Sequence, residues 1–275
     1  MGKVVGIIAE YNPFHNGHLY HLFQAKDLAQ ADSVIAVISG NFTQRGDTSI
    51  VDKWTKAYMA ICGGCDLVLE LPTVYSISSA ENFANGAIKI LDSLKIVDSI
   101  AFGAEANDLA TLNNIANVLY TEPKGYTNIL THELEKGISF PSARENAIMM
   151  YLNDIKRYAN ILNSPNNILA IEYLKALKIQ KSNINPIMVQ RKKVYYNDER
   201  IVDDFASATA IRKLIKRREY EELRKVVPRS TYKLLSQKIR DGNVVLGLEK
   251  FEKEISYTLR KMSISQIADL PDVSE

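Results

Sequence analysis

The stretch "KVVGIIAEYNPFHNGHLYHL", residues 3–22, decides the fold. It opens with "KVVGIIA" (3–9), an apolar run rich in β-branched residues that suits a strand buried on both faces. A Pro/Asn/Gly turn follows, and a helical pattern then continues through Leu28. Strand, tight turn and helix in direct succession are the start of a βαβ unit. Three of the chain's four histidines, His15, His18 and His21, fall in the turn and the first helical turns.

The same alternation repeats outward from this stretch. "SVIAVIS" (33–39) reads as a second strand, "KWTKAYMAIC" (53–62) as a helix and "DLVLELP" (66–72) as a strand stopped by Pro72. "SSAENFANGAIKILDSL" (78–94) is a helix with Ser78 or Ser79 as N-cap, and "DSIAFG" (98–103) is a fourth strand before a helix from about Asp108. "NPIMVQR" (185–191) is the expected fifth strand. The predicted class is α/β, a parallel sheet with helices on both faces, because right-handed crossovers place them there. Ligands in such sheets sit at the carboxyl ends of the strands. "EYNPFHNGH", "GNFTQRGD", "LPTVYS" and "FGAEAND" leave strands at that edge and are expected to line one crevice.

Less regular sequence from 126 to 153 reads as an inserted, mostly helical segment, extending to about residue 160. "SPNNILAIEYLKAL" (164–177) is read as a capped amphipathic helix and "FASATAIRKLIKRREYEELRKVVP" (205–228) as one capped helix. The remainder, 229–275, reads as helical and polar. These readings predict a first domain over 1–217 and a helical C-terminal region over 218–275.

Composition narrows the function classes. The 275 residues are 46% hydrophobic and 24% charged, an ordinary globular balance. A net charge of +2 means that any nucleic-acid contact must come from a local patch. No run of about 18 apolar residues and no secretory leader is evident, so a cytoplasmic protein without membrane contact is expected. Two cysteines, Cys62 and Cys65 in "CGGC", make no disulfide framework, and no second CxxC or nearby histidine pair completes a zinc site.

His15 and His18 share a face at a helix start, where free backbone N–H groups and the helix dipole favour an anion. Gly17 lets a phosphate or an adenine ring approach the backbone. Two imidazoles there can donate to phosphate oxygens and stabilise charge on a pentacoordinate α-phosphate. The bland alternative is a pair of solvated cap histidines. His21, one turn on, is assigned a structural role. "SATAIR" (207–212) supplies hydroxyl and N–H donors at a helix start, with Ser207 as cap and Arg212 one turn in as a planar charged fork. Basic residues crowd 212–229, with Glu219, Glu221 and Glu222 interleaved; this is either a solvated helix or a strip for an RNA backbone.

"PFHNGH" after a first strand, with the late "SATAIR", resembles the HIGH-type nucleotidyltransferase superfamily and its T/HxGH and ISSTxIR motifs. "GIIAEYNPFHNGHLYHL", "SGNFTQRGDTSIVDKWTKAYMAICGGCDLVLELP", "SAENFANGAIKILDSL", "FGAEAND", "SPNNILAIEYLKAL" and "ASATAIRKLI" together are similar to the bacterial tRNA(Met) cytidine acetate ligase family, in order from about residue 3 to 217.

That resemblance implies a Rossmann-like (HUP-type) ATP-binding core. It also implies a reaction: acetate attacks ATP to give acetyl-adenylate and pyrophosphate, and the acetyl group passes to N4 of the wobble cytidine in the anticodon stem-loop of elongator tRNA(Met). The implied ATP site is Ile7, Ile8, Ala9, Glu10, Tyr11, Asn12, Pro13, Phe14, His15, Asn16, Gly17, His18, Leu19 and Tyr20, with Gly103, an asparagine of "PNN" (Asn166 or Asn167) and Arg191. His15, His18 and Arg212 are the expected catalytic residues, and Ser207 a phosphate ligand. Asn41, Gln44 and Arg45 are candidates for holding acetate or the target base, and Lys53 for pyrophosphate. No protein-held metal site is expected; Mg²⁺ should accompany ATP as a clamp on its phosphate oxygens. The family often carries a small residue where Cys65 stands, which favours packing over redox chemistry there. The resemblance further implies longer chains with a basic helical tail, so the C-terminal region is expected to be incomplete. Two other readings stand beside this one: nucleotidyl transfer to a small phosphorylated acceptor, and an ATP- or RNA-binding protein inactive through loss of its tail. No oligomeric state is read from the sequence.

Overall fold

The computed structural model describes residues 2–106, 108–190 and 204–270. Strands β1 (Val4–Ala9), β2 (Ser33–Ser39), β3 (Leu67–Leu71), β4 (Ser99–Ala104) and β5 (Asn185–Gln190) form one parallel sheet in the order β3-β2-β1-β4-β5. Each lies within a residue or two of its expected position. Arg191, expected at the end of β5 and at the ATP site, lies outside the described residues.

The helices are α1 (Asn16–Ala29), α2 (Lys53–Cys62), α3 (Thr73–Ser76), α4 (Ala80–Ser93), α5 (Leu109–Thr121), α6 (Lys124–Glu135), α7 (Phe140–Tyr151), α8 (Ile155–Tyr158), α9 (Pro165–Ile179), α10 (Ala208–Arg217), α11 (Tyr220–Val226), α12 (Arg229–Arg240), α13 (Glu252–Lys261) and α14 (Ile264–Ala268). None of the described helices is long and apolar enough to cross a membrane.

Strand alternation divides the interior into two cores. Ile35 and Val37 of β2 and Ile100 and Phe102 of β4 pack with α4, α5 and α9 on one face. Val34, Ala36 and Ile38 of β2 pack with Val5 and Ile7 of β1 and with α1, α2, α10, α11 and α12 on the other. Because both faces are covered, each central strand is a continuous apolar run. The strand order reverses at β1, with β2 and β3 to one side and β4 and β5 to the other. The carboxyl ends of β1 and β4 therefore open a crevice at the switch point, and α1 begins there.

Two expected helices differ. The 205–228 segment is broken, because Arg218 takes a left-handed φ of 61° and donates its N–H to Leu214 and Ile215 carbonyls. Glu219 N–H also returns to Leu214 O, closing α10 with a reversed turn. That turn sends Leu223 and Val226 of α11 back into the core, which a continuous helix would not reach. The second helix, α9, is not amphipathic: Ala170 through Leu177 are all buried, since it is packed between α4, α5 and the sheet. On α4, Ser79 and not Ser78 is the N-cap.

Helix α12 is fastened to α2 by charge. Asp52, the N-cap of α2, accepts from Thr55 N–H at 2.9 Å and from Lys238 Nζ at 2.8 Å. Partial burial pushes its carboxyl up, but the Lys238 pair and the Thr55 bonds outweigh this and hold it at about 2. The folded value is below the ordinary 3.8, so the stabilisation is present above about 3.8 and is lost as pH falls through about 2. The Asp52→Asn variant should melt with a shallower pH dependence across this window. Solvent screening limits the effect to about 1 kcal/mol.

Candidate active site

His15 is the N-cap of α1, and its extended backbone (φ −138°) turns the ring back over the first helical turn. Its Nδ1 accepts from Gly17 N–H at 3.0 Å and from His18 N–H at 3.3 Å. His18 answers in kind, its Nδ1 accepting from His15 N–H at 3.3 Å. This is a reciprocal capping box built from two histidines. The rings stack with centroids 3.6 Å apart and 22° between planes. Because both Nδ1 atoms accept, both neutral imidazoles carry their proton on Nε2. The cap thus fixes the tautomer of two ring donors beside a helix N-terminus.

The stack needs Gly17. A Cβ added there would lie 2.9 Å from Cε1 and 3.0 Å from Nδ1 of His15. Gly17→Ala should therefore force the His15 ring off its cap while leaving α1 helical. Its expected signature is weaker nucleotide binding with a melting temperature lowered by only a few degrees. Calorimetric titration and a thermal melt of the variant check both parts.

Tyr11 supports His18 from below. It takes a left-handed φ of 48° and is buried, meeting the His18 ring edge-on at 4.8 Å and Phe14 at 4.8 Å. Phe14 is buried in turn. A tyrosine in this backbone region is strained and is held there by its surroundings. Ile7 and Ile8 point into the two cores, and Ala9, Leu19 and Tyr20 are partly buried against the second. Pro13 is buried beside them. Much of the implied nucleotide segment therefore offers a ligand backbone, not side chains.

Its two asparagines are clasps. Asn12 Nδ2 donates to Thr48 O at 3.2 Å, and Asn12 Oδ1 accepts from Ile50 N–H at 2.7 Å. Asn16 Nδ2 donates to Asp204 O at 3.0 Å and to Lys225 O at 2.8 Å. These bonds bring the late motif onto the early one. Arg212 Nη1 donates to Asn12 O at 2.9 Å, and its Nη2 to Thr209 Oγ1 at 3.1 Å. Ser207 caps α10, accepting from Ala210 N–H at 3.0 Å. Two helix N-termini, those of α1 and α10, are thus joined through Asn12, with Arg212 between them.

The loop 40–49 closes the other side. Gln44 N–H donates to Glu10 Oε1 at 2.7 Å, and Gln44 Nε2 donates to Ser78 O at 2.8 Å. Asn41 Oδ1 accepts Lys53 N–H at 2.9 Å at the start of α2. Arg45 is exposed at the loop tip. Lys53 Nζ pairs with Glu70 at 2.6 Å and so faces β3.

At the exit of β4, Gly103 lies opposite Val189. The asparagines of "PNN" have different tasks. Asn167 is buried, with Oδ1 accepting Glu105 and Ala106 N–H at 2.9 and 3.0 Å and Nδ2 donating to Ile161 O at 3.1 Å. Asn166 is half-buried and donates to Glu105 Oε1 at 2.6 Å. Asn167 shapes the loop after β4, and Asn166 stands at its surface.

Cys65 is buried, and burial pushes its thiol up to about 12, which makes it a poor nucleophile. Cys62 is exposed, and the two are not joined. Among the described residues no group of three or more His, Cys, Asp or Glu could hold a metal ion. Sequence reasoning named Glu10 and Asn16 within the implied ATP segment but passed over Lys56. Lys56 does leave a trace, as a lysine on the buried face of α2 with Thr55, Met59 and Ala60.

The model of the family described as "HIGH Nucleotidyl Transferase" matches residues 2–275. A tRNA(Met) cytidine acetate ligase of Caldanaerobacter subterraneus subsp. tengcongensis is 46% identical over 273 residues, which are 99% of this chain and 67% of that protein. One from Thermoanaerobacter sp. (strain X514) is 47% identical over 98% of this chain and 67% of its own length. The apo crystal structure of Thermotoga maritima TmcAL superposes with a TM-score of 0.93 at 38% identity, over 99% of this chain and 65% of that one. A second structure of that protein, bound with alpha-thio ATP, gives 0.90 at 37% identity over 99% of this chain and 64% of its own. The chain spans about two thirds of the length of these relatives. With the paired helix starts, the double-histidine cap and this likeness along nearly its whole length, the chain belongs to the HIGH nucleotidyl transferase family, among the tRNA(Met) cytidine acetate ligases.

Proposed function

We propose that this chain carries the ATP-dependent activation of acetate and its transfer to N4 of the wobble cytidine of elongator tRNA(Met), read at the anticodon stem-loop. The observation that carries this reading is the stacked His15–His18 pair, whose Nδ1 atoms are both fixed as acceptors so that both rings present Nε2–H. In the first step a carboxylate oxygen of acetate forms a bond to the α-phosphorus. The bond from the α-phosphorus to the bridging oxygen breaks, and pyrophosphate leaves with that electron pair. In the second step N4 attacks the carbonyl carbon of the mixed anhydride, AMP leaves, and N4 loses one proton.

The chain's part is positioning and electrostatics, since acetate itself is the nucleophile. Nε2–H of His15 and His18 meets the charge gathering on the α-phosphate oxygens. Arg212 and the free N–H groups at the start of α10 hold the phosphates beyond it. Asn41, Gln44 and Arg45 form the carboxylate and base side of the crevice. Gly103 and Asn166 line the adenosine side. Mg²⁺, if it accompanies ATP, would neutralise part of the charge on the phosphate oxygens. The described side chains form no cage for it, and no step is assigned to it. A cytoplasmic reaction is in keeping with a tRNA substrate.

The test is exchange of labelled pyrophosphate into ATP, with acetate present or absent and with or without bulk bacterial tRNA. Exchange that needs acetate is the expected result. A stable adenylylated small molecule in place of acetate-dependent exchange would move the chain to a different acceptor. ATP binding with no exchange under any condition would make it a nucleotide-binding protein only.

A further inference from the structure

Lys56 is fully buried on the inner face of α2. Burying an ammonium is costly unless its donors are matched. Here four oxygens surround Nζ: Ser39 O at 2.8 Å, Ser39 Oγ at 3.2 Å, Gly40 O at 3.0 Å and Ser49 Oγ at 3.0 Å. Ser39 and Gly40 are where the chain leaves β2, and Ser49 is where the 40–49 loop returns to α2. Ser49 Oγ also donates to Gly40 O at 3.0 Å, so one cation ties both ends of the loop into a ring. The loop's middle is held separately, by Glu10 on Gln44 N–H and by Ser76 Oγ on Phe42 O at 2.9 Å.

We propose that Lys56 is a positioning residue for the carboxylate side of the crevice: its ammonium closes the base of the 40–49 loop and so fixes Asn41, Gln44 and Arg45 in one arrangement. The inference rests on the acyl-adenylate reading above for what the loop holds. A lysine that only fills the core would affect stability and leave the loop's substrate untouched. A clamp affects acetate and spares ATP, because the nucleotide end of the site is built from α1 and α10.

The charged groups around Lys56 are Glu10 at the exit of β1 and Glu70 on β3, both of which favour its ammonium form, with Lys53 already paired to Glu70. Burial outweighs them and lowers Lys56 to about 8. Above that pH the amine has only two N–H donors for four oxygens, and the clamp loosens.

Three measurements on wild type, Lys56→Met and Lys56→Arg decide the matter. Hydrogen exchange of the 40–49 amides should quicken in Lys56→Met and return toward wild type in Lys56→Arg, whose guanidinium stays charged. Acetate KM in pyrophosphate exchange should rise about tenfold or more in Lys56→Met, with ATP affinity within about twofold of wild type. Acetate KM of wild type should rise as pH passes about 8, and that of Lys56→Arg should stay flat over the same range. Unchanged loop protection in Lys56→Met overturns the inference whatever the activity does. So does an equal loss of acetate and ATP affinity, which is the pattern of a general packing defect. Absence of acetate-dependent exchange in wild type would instead count against the acyl-adenylate reading, and the exchange of the loop amides would still decide whether Lys56 is the clamp. Should Lys56→Met fail to fold, the pH profiles of wild type and Lys56→Arg carry the test.

Discussion

Replacing His18 by alanine is expected to lower acetate-dependent pyrophosphate exchange by roughly 10²–10³-fold, the usual loss for one fixed donor to developing charge. The substitution also removes the acceptor of His15 N–H and the ring stacked at 3.6 Å, while the His15 Nδ1 bonds to Gly17 and His18 N–H remain. Stability should fall by about 1 kcal/mol or less, because only the reciprocal half of the capping box is lost and the His15 half remains. A second variant separates cap from chemistry. In His15→Asn the side-chain carbonyl can accept Gly17 and His18 N–H as Nδ1 does in the native chain. The helix stays capped and the melting temperature should move by about 2 °C or less, yet the Nε2 donor is gone and exchange should drop as in His18→Ala. Because the two rings form one unit, the double variant should be little worse than either single one. Exchange within about threefold of wild type in His18→Ala would remove this ring from the reaction.

How far the sequence could carry this depended on the range of each interaction. The strands were legible because a parallel strand covered on both faces is a continuous apolar run, as in "SVIAVIS" and "KVVGIIA". The histidine pair was legible because a helix start announces itself locally, in the spacing of His15, Gly17 and His18. The break in 205–228 was not, since Lys216, Arg217 and Arg218 favour a helix C-terminus no more visibly than a helix surface. The roles of Asn12 and Asn16 were hidden for another reason. Asn16 bonds to Asp204 and Lys225, and Asn12 to Thr48 and Ile50, partners that no local pattern points to. In the same way "PNN" shows two equal asparagines until the fold buries Asn167 against the turn after β4. A charged residue on a buried helix face is a long-range feature with a local trace, and Lys56 is such a case.

Arg212 is where the early and late motifs meet, and its replacement by methionine is expected to have the other large effect. Methionine keeps the half-buried stem on α10 but removes two donors, one to Asn12 O at 2.9 Å and one to Thr209 Oγ1 at 3.1 Å. A hydrogen bond from a charged group contributes about 1.5–3 kcal/mol, so losing the hold on a phosphate alone should weaken ATP binding by roughly 10- to 150-fold. The lost tie to Asn12 adds a second effect. Asn12 stands directly before the turn that carries His15, and its side chain holds the 48–50 segment. Freed from Arg212, that turn should wander by fractions of an ångström, and the α-phosphate donors with it, so kcat should fall as well as ATP affinity. Arg212→Lys distinguishes the two effects. Lysine restores the positive charge but lacks the fork that reaches a carbonyl and an anion at once. It should recover most of the ATP affinity and little of the rate. If Arg212→Lys recovers both equally, the guanidinium acts as a charge alone, and the bond to Asn12 has no part in setting the geometry of the histidine pair.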